Sequence, residues 1–339
     1  MTPGEMGGVL ILGAALLDQL IGDPARMLHP VVVMGWWIRR LQCRVELWAG
    51  DHPTKLRYGG GLITLLLVLG SGLAGWCLER LLWLPAPWQW LGIPILSLSL
   101  ASALAARSLA DSVLAVLNAL PATADGDLKA ARQNLSWIVG RDVQDLDQAG
   151  LLRAAAETAS ENAVDGVFAP LFWMSIGALL WTVLPAGPGP LALAWAFKAS
   201  STLDSMLGYR TGRLRWLGTA GARLDDGLTW LPCRLVMLTL PLICQPWTRW
   251  AQLVRCAERD GAADPSPNAG RSEAIYAHCI GIQLGGENHY GERRVQKPLL
   301  GADQPTATPT LVKGVLKASG RLEVLWLSGL IIIQLAMAQ

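Results

Sequence analysis

Three charged side chains lie four residues apart in an alanine-rich stretch near the middle of the chain. Arg153, Glu157 and Glu161 would share one face of a helix, and Asp165 would follow close to the same line. The chain then continues into an apolar segment, 167–184. Charge beside a membrane segment is costly and usually faces a polar cavity or a partner. A solvated helix face held by an Arg–Glu pair is the alternative, but the position beside the apolar segment favours a site.

A second polar region contains two adjacent carboxylates, Asp225 and Asp226. Adjacent carboxylates repel each other unless a cation or a basic group joins them. Mg²⁺ prefers a few carboxylates together with substrate phosphate oxygens. Acidic residues at the start of a helix, where the helix dipole favours them, explain the pattern equally well, so both interpretations are open. The other polar residues that we group with this region are Lys198, Thr202, Asp204 and Arg223.

The loop before residue 274 carries Ser266, Asn268 and Gly270, a pattern typical of a helix start. The same backbone geometry presents N–H groups to an anion, so the loop could hold a phosphate, although capping alone is the commoner explanation. The paired glycines 285–286, followed by Lys297, are compatible with a substrate loop.

His29 precedes a proline, and a lone His in that position is more often structural than catalytic. We find no Walker A lysine motif, no Rossmann glycine pattern and no serine nucleophile elbow in the sequence. The polar clusters therefore indicate a reactive site, but the sequence contains no motif that locates a nucleotide-binding site.

The elements that must position these residues belong to a strongly apolar chain. Of its 339 residues 52% are hydrophobic and 16% charged, and the mean hydropathy is +0.35. These values predict an all-α, polytopic integral membrane protein with helical polar loops. Sixteen Trp, against three Phe and four Tyr, fit many residues at the bilayer boundary. The formal net charge of +2 gives no reason to expect a nucleic-acid partner.

About four to six segments are predicted to cross the membrane. The apolar candidates are 7–21, 60–78, 88–106, 167–184, 228–244 and 322–338, with a less hydrophobic helix at 191–207. Because it contains two prolines and an arginine, 228–244 could be a span, a broken helix or a re-entrant hairpin. We expect one integral membrane domain, 1–339, in which 107–165 and 247–321 are polar, mainly helical cytoplasmic segments. The basic loop 26–57 is expected to be cytoplasmic, with the N-terminus outside.

Six cysteines, at 43, 77, 233, 244, 256 and 279, form no C-x-x-C motif. This spacing is typical of small buried apolar residues or free thiols in a reducing compartment, rather than of a zinc site.

Motifs along nearly the whole chain resemble those of one protein family. They lie at 18–30, 136–142, 153–172, 198–209, 222–234, 266–274, 284–286 and 297–301, in the order that the family has. Two of the longest are Arg-Ala-x-x-Glu-Thr-x-x-Glu-Asn-x-x-Asp-Gly-x-x-Ala-Pro-Leu-Phe and Lys-Ala-x-x-Thr-Leu-Asp-Ser-Met-x-Gly-Tyr. On these residues the chain resembles the adenosylcobinamide-phosphate synthases of cobalamin biosynthesis, which are called CbiB or CobD.

The resemblance implies a carbon–nitrogen ligase of the cell inner membrane, multi-pass, with its active site on the cytoplasmic side. Such an enzyme joins adenosylcobyric acid to (R)-1-amino-2-propanol phosphate, or to free aminopropanol, with ATP as co-substrate and Mg²⁺ as cofactor. Its partners are these small molecules and the lipid bilayer, and a complex with other corrinoid-pathway enzymes is compatible with it. Because a carboxylate is a poor acyl donor, ATP would convert it to an acyl phosphate, with charge neutralised at the phosphates and a base acting on the amine.

The same resemblance suggests roles for individual residues. The catalytic candidates, among which a base is expected, are Glu157, Glu161, Asp165 and His29. The candidates for Mg²⁺ binding are Asp225, Asp226 and Asp204, with Glu157 or Glu161 as further possibilities. The candidates for binding substrate or phosphate are Arg141, Arg153, Asn162, Lys198, Thr202, Arg223, Ser266, Asn268 and Lys297.

Two other classes of protein fit parts of the pattern. A corrinoid transporter would also carry ionisable residues at membrane depth and helices broken by proline, but it predicts an inverted repeat, which we do not find. A non-catalytic membrane regulator or scaffold explains the apolar helices but does not explain the carboxylate and Ser-Pro-Asn clusters. The synthase is therefore the main prediction.

Overall fold

A computed structural model describes residues 3–22, 29–85, 88–121, 126–290 and 293–337. Residues 23–28 of the opening motif lie outside these ranges. The described chain is almost entirely helical, as predicted. Its helices are α1 Pro3–Ile21, α2 Pro30–Ala49, α3 Pro53–Glu79, α4 Trp88–Ala101, α5 Ala106–Asn118, α6 Lys129–Ser136, α7 Gln148–Ala163, α8 Ala169–Val183, α9 Pro190–Leu207, α10 Leu214–Leu217, α11 Thr219–Cys244, α12 Trp250–Gly261, α13 Ala269–Ile280 and α14 Pro309–Met337.

Six helical stretches of the described chain are long and apolar enough to cross a membrane. They are Gly4–Ile21, Pro53–Trp83, Trp90–Asn118, Gln148–Val183, Thr219–Cys244 and Pro309–Met337. The polytopic helical class is thus confirmed, with a count at the upper end of the predicted range. The helix expected at 191–207 is present as α9 but is not among the six.

The stretch 228–244, for which three structures were open, belongs to one continuous helix, α11. Pro232 and Pro241 both lie inside it, and each removes one backbone N–H donor from the helix. Prolines of this kind are tolerated in membrane helices because neighbouring groups satisfy the freed carbonyls. A re-entrant hairpin is therefore the wrong interpretation of this segment.

The described chain divides into two compact units. Unit 1 consists of 1–105, 169–229 and 327–339, and unit 2 consists of 106–168 and 230–326. In unit 1, α3 packs against α9 and α2 around the buried residues Ile38, Ile63 and Leu203. In unit 2, α7 packs against α5, α13 and the first strand of a β-hairpin. Unit 2 contains both of the polar segments, 107–165 and 247–321, that the sequence predicts.

Helix α7 is built almost entirely of small residues on its buried side. Its N-cap is Asp147, whose Oδ1 accepts a hydrogen bond from the Gly150 N–H at 2.7 Å. Five buried alanines, at 154, 155, 156, 159 and 163, let neighbouring elements approach its backbone closely. A π-helical turn, Val164–Phe168, follows and leads into α8. Turns of this type occur frequently at functional sites.

A two-stranded antiparallel hairpin interrupts the helices of unit 2. Its strands are β1, Leu284–Tyr290, and β2, Arg293–Leu300, with an irregular register between Leu284 and Gly286. The sequence pattern does not predict this hairpin. The sequence of β1, Leu-Gly-Gly-Glu-Asn-His-Tyr, lacks the alternation of apolar and polar residues that indicates a strand.

In unit 1, a buried glutamate at the end of α3 caps the start of α9. The Glu79 carboxylate accepts hydrogen bonds from the backbone N–H groups of Gly189, Leu191 and Ala192, at 2.8, 2.7 and 3.1 Å. Glu79 is fully buried. The first N–H groups of a helix have no partners inside the helix. Glu79 alone accepts three of these groups at the start of α9.

Replacing Glu79 by Ala is expected to destabilise unit 1, because the three N–H groups lose their acceptor in an environment without water. Each such group costs about 1–3 kcal/mol. The midpoint of thermal unfolding in detergent measures the effect. Asp111→Ala is the matched control, because the Arg107–Asp111 pair is exposed and such pairs contribute about 0–1 kcal/mol. Equal unfolding midpoints for the two variants would contradict the capping role.

Candidate active site

Glu157 stands at the centre of a buried polar network in unit 2. Its Oε2 lies 2.5 Å from Arg141 Nη2, and its Oε1 accepts the Gly285 N–H at 2.8 Å. Arg153 Nε lies 3.7 Å from the same Oε1, as the spacing of four residues predicts. The side chains of Arg141 and Glu157 are only 7% and 6% exposed. Both carboxylate oxygens of Glu157 are therefore engaged, which suits a positioning residue better than a base.

The two arginines of this network hold the β-hairpin against α7. Arg153 donates from Nη1 to the Gly285 carbonyl at 2.8 Å and from Nη2 to the Glu287 carbonyl at 2.7 Å. Arg141 Nη1 donates to Asn288 Oδ1, and Asn288 is buried. The guanidinium charges thus have partners within the protein: Arg141 is bound by Glu157 and Asn288. The predicted phosphate-binding role of either arginine stays a prediction.

Steric constraints explain why residues 285 and 286 are both glycine. Gly285 and Gly286 have φ values of +80° and +93°, a region that side chains rarely adopt. A Cβ on Gly285 would stand 1.9 Å from the Pro298 carbonyl oxygen, and one on Gly286 would stand 2.9 Å from Arg153 Nη1. The pair therefore shapes the start of β1 and lets the hairpin approach Arg153.

Beside this network lies a second group of ionisable residues with Lys297 at its centre. Lys297 Nζ is 3.1 Å from Glu273 Oε1 and 3.7 Å from Asp264 Oδ2. Glu161 interacts electrostatically with Lys297, Asp264 and Glu157. The positive charge of Lys297 offsets the negative charges only in part, because three carboxyl groups share one lysine. We call Glu161, Asp264, Glu273 and Lys297 the lysine–carboxylate cluster.

Glu273 is the most deeply buried carboxylate of this cluster, with 1% of its surface exposed. Its Oε1 meets Lys297, whereas its Oε2 is buried and makes no hydrogen bond to any residue that the structure describes. Burial raises the pKa of Glu273 to about 8; the nearby charges of Glu161 and Glu157 act in the same direction, and Lys297 opposes them. A carboxylate with such a pKa exchanges its proton near neutral pH, as a general base or acid does.

The loop before α13 is closed by its own hydrogen bonds. Ser266 Oγ accepts the N–H groups of Asn268 and Ala269 at 3.2 and 3.1 Å. The Asn268 carbonyl accepts the Ser272 N–H at 2.9 Å, and its Oδ1 accepts a bond from Arg234 at 2.7 Å. These contacts fit the capping alternative for Ser266, whereas the side chain of the N-cap residue Asn268 binds Arg234. Phosphate binding by this loop stays a prediction that would require these bonds to be exchanged.

The remaining predicted residues of unit 2 differ in exposure. Asn162 is exposed at the end of α7, and Asp165 is half-buried in the π-helical turn. Asp165 interacts electrostatically with Cys233 of α11. The predicted roles of Asn162 and Asp165 rest on the resemblance.

In unit 1, Lys198 and Thr202 line a cavity of about 380 Å³. Arg39 of α2 lines the same cavity, together with Ser201 and Ser205. Two basic side chains and three hydroxyl groups make this cavity chemically suited to an anion such as a phosphate group. The structure thus brings Lys198 and Thr202 together and adds Arg39, which the sequence analysis does not single out as a site residue.

The predicted metal-binding aspartates also lie in unit 1. Burial and the charge of Asp226 raise the pKa of Asp204, so these two carboxylates influence each other. Asp225 is buried, Asp226 half-buried and Arg223 exposed on α11. His29 acts as the N-cap of α2, where its Nδ1 accepts the Val31 N–H at 3.3 Å. That contact supports the structural interpretation of His29.

Asp204 and Asp226 are two of the predicted metal-binding carboxylates, and their charges interact; Mg²⁺ binding by them stays a prediction. Among the described residues, no group of three or more His, Cys, Asp or Glu side chains is arranged to hold a metal ion. Mg²⁺ commonly takes one or two carboxylates and completes its shell with water and phosphate oxygens. Two mutually repelling carboxylates fit that mode.

Sequence reasoning missed three residues of unit 2 that the structure brings to the centre, namely Glu273, Asp264 and Asn288. The contact of Glu273 with Lys297 joins residues 24 positions apart, which no local pattern indicates. The signal available in the sequence was an acid within a motif, Ser266 to Ala274, that the resemblance already included.

Comparison with known proteins identifies the family. The family model described as CobD/Cbib protein matches residues 11–319. The chain is 43% identical to a protein of Synechocystis sp. named cobalamin biosynthesis protein CobD, over 86% of this chain and 82% of the relative. It is 40% identical to a CobD of Yersinia enterocolitica and 38% identical to a CbiB of Salmonella choleraesuis, each over 86% of both chains. No solved structure matches the chain significantly. With a family model over most of its length and relatives of this similarity, the chain belongs to the CobD/Cbib family.

Proposed function

We propose that this protein acts in cobalamin biosynthesis as an amide-forming ligase. It would join adenosylcobyric acid to (R)-1-amino-2-propanol phosphate, or to free aminopropanol, in an ATP-dependent reaction. Family membership and the names of the relatives support the pathway. The finer reaction is the one that the sequence resemblance implies.

The observation that carries the proposal is the lysine–carboxylate cluster of unit 2. An amine that attacks an activated carboxyl group must first lose a proton, so the enzyme needs a base whose pKa lies near the working pH. Glu273 meets this requirement, because its pKa is raised to about 8 and its buried Oε2 has no hydrogen-bond partner within the described part of the chain. A regulator or scaffold has no need of so costly a group, because burying an incompletely paired carboxylate destabilises the fold.

In this proposal the residues around Glu273 have distinct tasks. Glu273 takes the proton from the incoming ammonium group, and Lys297 holds its Oε1 in place. Glu157 and Arg141 position the hairpin. Glu161, which shares the electrostatic environment of Lys297, is the alternative base. His29, as the cap of α2, is the least suited of the predicted bases.

The groups of unit 1 would serve the phosphates. Lys198, Thr202 and Arg39 line a cavity whose size suits a phosphate group. Mg²⁺ held by Asp204 and Asp226 would supply charge neutralisation at ATP. The multi-pass character and the basic stretch 26–57, which the structure shows to be largely the helix α2 and the start of α3, support a location in the cell inner membrane, with the reacting groups on the cytoplasmic side.

Reconstitution tests the proposal directly. Full-length protein in detergent, given adenosylcobyric acid, aminopropanol phosphate, ATP and Mg²⁺, is expected to yield adenosylcobinamide phosphate with consumption of ATP. Mass spectrometry of the corrinoid identifies the product, and omission of ATP is the control. The proposal fails if neither the phosphorylated nor the free amine is coupled, or if coupling proceeds equally without ATP. A bound corrinoid without coupling would instead favour a transporter.

A further inference from the structure

Two cysteines of unit 2 meet where two helices end. Cys244 is the last residue of α11, and Cys279 lies one residue before the end of α13. The two side chains interact electrostatically with each other and line the same cavity. Next to them, Gln245 Nε2 donates to the Cys279 carbonyl at 3.0 Å. The side chain that follows Cys244 thus fastens the two helix ends together at the point where the thiols meet.

The thiol pair borders an open cavity of about 330 Å³ with a basic lining. Lys317 and Arg321 of α14 line this cavity together with both cysteines. Arg321 also interacts electrostatically with Cys244. Cys244 is partly exposed, whereas Cys279 is buried. Reactive cysteines are found in such electropositive, partly exposed surroundings, because a nearby cation stabilises the thiolate.

The two cysteines differ in the way that a thiol–disulfide exchange requires. The neighbouring Cys244 side chain and burial both raise the pKa of the Cys279 thiol, so Cys279 keeps its proton. Cys244 is the more exposed of the two and lines the cavity from which a small molecule would arrive. Cys244 therefore suits the attacking thiolate, and Cys279 suits the resolving thiol beside it.

We propose that Cys244 and Cys279 form a dithiol site that is oxidised by low-molecular-weight disulfides. The Cys244 thiolate attacks one sulfur of the small disulfide, forms a mixed disulfide and releases one small thiolate. Cys279 then loses its proton and attacks the Cys244 sulfur, which releases the second small thiolate. The two protein thiols lose two electrons and the small disulfide gains them; each released thiolate takes up one proton.

Oxidation would join the C-terminal ends of α11 and α13 by a covalent bond. Helix α13 also carries Glu273, so the bond would fix one end of the helix that holds the proposed base. The chemistry of the dithiol site does not require the synthase reaction. A failed coupling assay would therefore leave the dithiol proposal standing, and the reverse also holds.

The test uses reduced, full-length protein in detergent and glutathione disulfide as the probe. After free thiols are blocked, peptide mass spectrometry of wild type is expected to show a Cys244–Cys279 disulfide. Cys279→Ser is expected to stop at a glutathione mixed disulfide on Cys244. Cys244→Ser is expected to leave Cys279 as a thiol. Cys43→Ser, which removes an exposed cysteine of unit 1, is the matched control and should give the wild-type map.

Two results would overturn the proposal. One is a wild-type map in which Cys244 and Cys279 stay reduced while exposed cysteines such as Cys43 and Cys77 carry glutathione. The other is a stable mixed disulfide on Cys244 in wild type, without transfer to Cys279. Both results come from the unmodified chain, so a misfolded variant cannot obscure them.

Discussion

Replacing Glu273 by Gln is expected to lower the coupling turnover by about 10²- to 10⁴-fold, the range that a positioned general base contributes. Gln has nearly the same size and can still accept a hydrogen bond from Lys297, so the packing around this buried position is preserved. It cannot take up a proton from the amine. Turnover with saturating substrates, followed by mass spectrometry of the corrinoid product, measures the loss.

The pH profile separates this role from a structural one. Because the pKa of Glu273 is raised to about 8, its carboxylate is mostly protonated below that pH and becomes ionised as the pH rises through it. Wild-type turnover should therefore increase with pH up to about 8, and Glu273→Gln should lack this increase. The amine substrate titrates identically with both proteins and does not affect the comparison. Wild-type turnover in Glu273→Gln, or profiles of the same shape, would contradict the assignment.

Lys297→Met provides a matched control for the direction of this shift. Lys297 opposes the effect of burial on Glu273, since a positive charge at 3.1 Å favours the ionised carboxylate. Without it the pKa of Glu273 should rise further, and the increase of turnover should move to more alkaline pH. A shift towards acid would show that Glu273 is not the titrating group.

Replacing Arg141 by Ala is expected to destabilise unit 2 by about 3–5 kcal/mol, the cost of removing one partner of a buried ion pair. Glu157 would keep the Gly285 N–H and Arg153 but would lose its shortest contact, and Asn288 would lose one of its two arginine donors. Thermal unfolding in detergent and the rate of proteolysis within the hairpin measure the effect.

The double variant Arg141→Met with Glu157→Leu is the control for this prediction. Replacing both members of a buried pair by apolar residues of similar volume is often neutral or stabilising. Arg153 loses its contact with Glu157 in this variant but keeps its bonds to the Gly285 and Glu287 carbonyls. The double variant should therefore unfold at a higher temperature than Arg141→Ala. If Arg141→Ala unfolds like wild type, the pair does not hold the hairpin.

The sequence predicts those parts of the fold that depend on local patterns. Apolar runs of sufficient length indicated the membrane helices, and the spacing of Arg153, Glu157 and Glu161 placed them on one helix face. The Arg153–Glu157 contact, offered as the plain alternative to a site, is present in the structure. It coexists with the buried network instead of replacing it.

The parts that the sequence does not predict depend on contacts between distant residues. The Glu157 carboxylate binds the Gly285 N–H across 128 positions, and Arg141 reaches Asn288 across 147. Periodicity contains no information about such contacts. The hairpin was missed for a related reason: its first strand has no apolar alternation and is held by arginines of other elements.

The contacts of Arg153 also determine which mutations the hairpin tolerates. Arg153 binds the main-chain carbonyls of Gly285 and Glu287, and a carbonyl is present whatever side chain the residue carries. Substitution of the half-exposed Glu287 side chain therefore leaves the bonds between Arg153 and the hairpin intact. Substitution of Arg153, Gly285 or Gly286 would disrupt them. Among homologous sequences, we therefore expect variation at exposed side chains of β1 such as Glu287. Arg153, Gly285 and Gly286 are expected to be invariant, although their spacing in the sequence does not indicate that they are in contact.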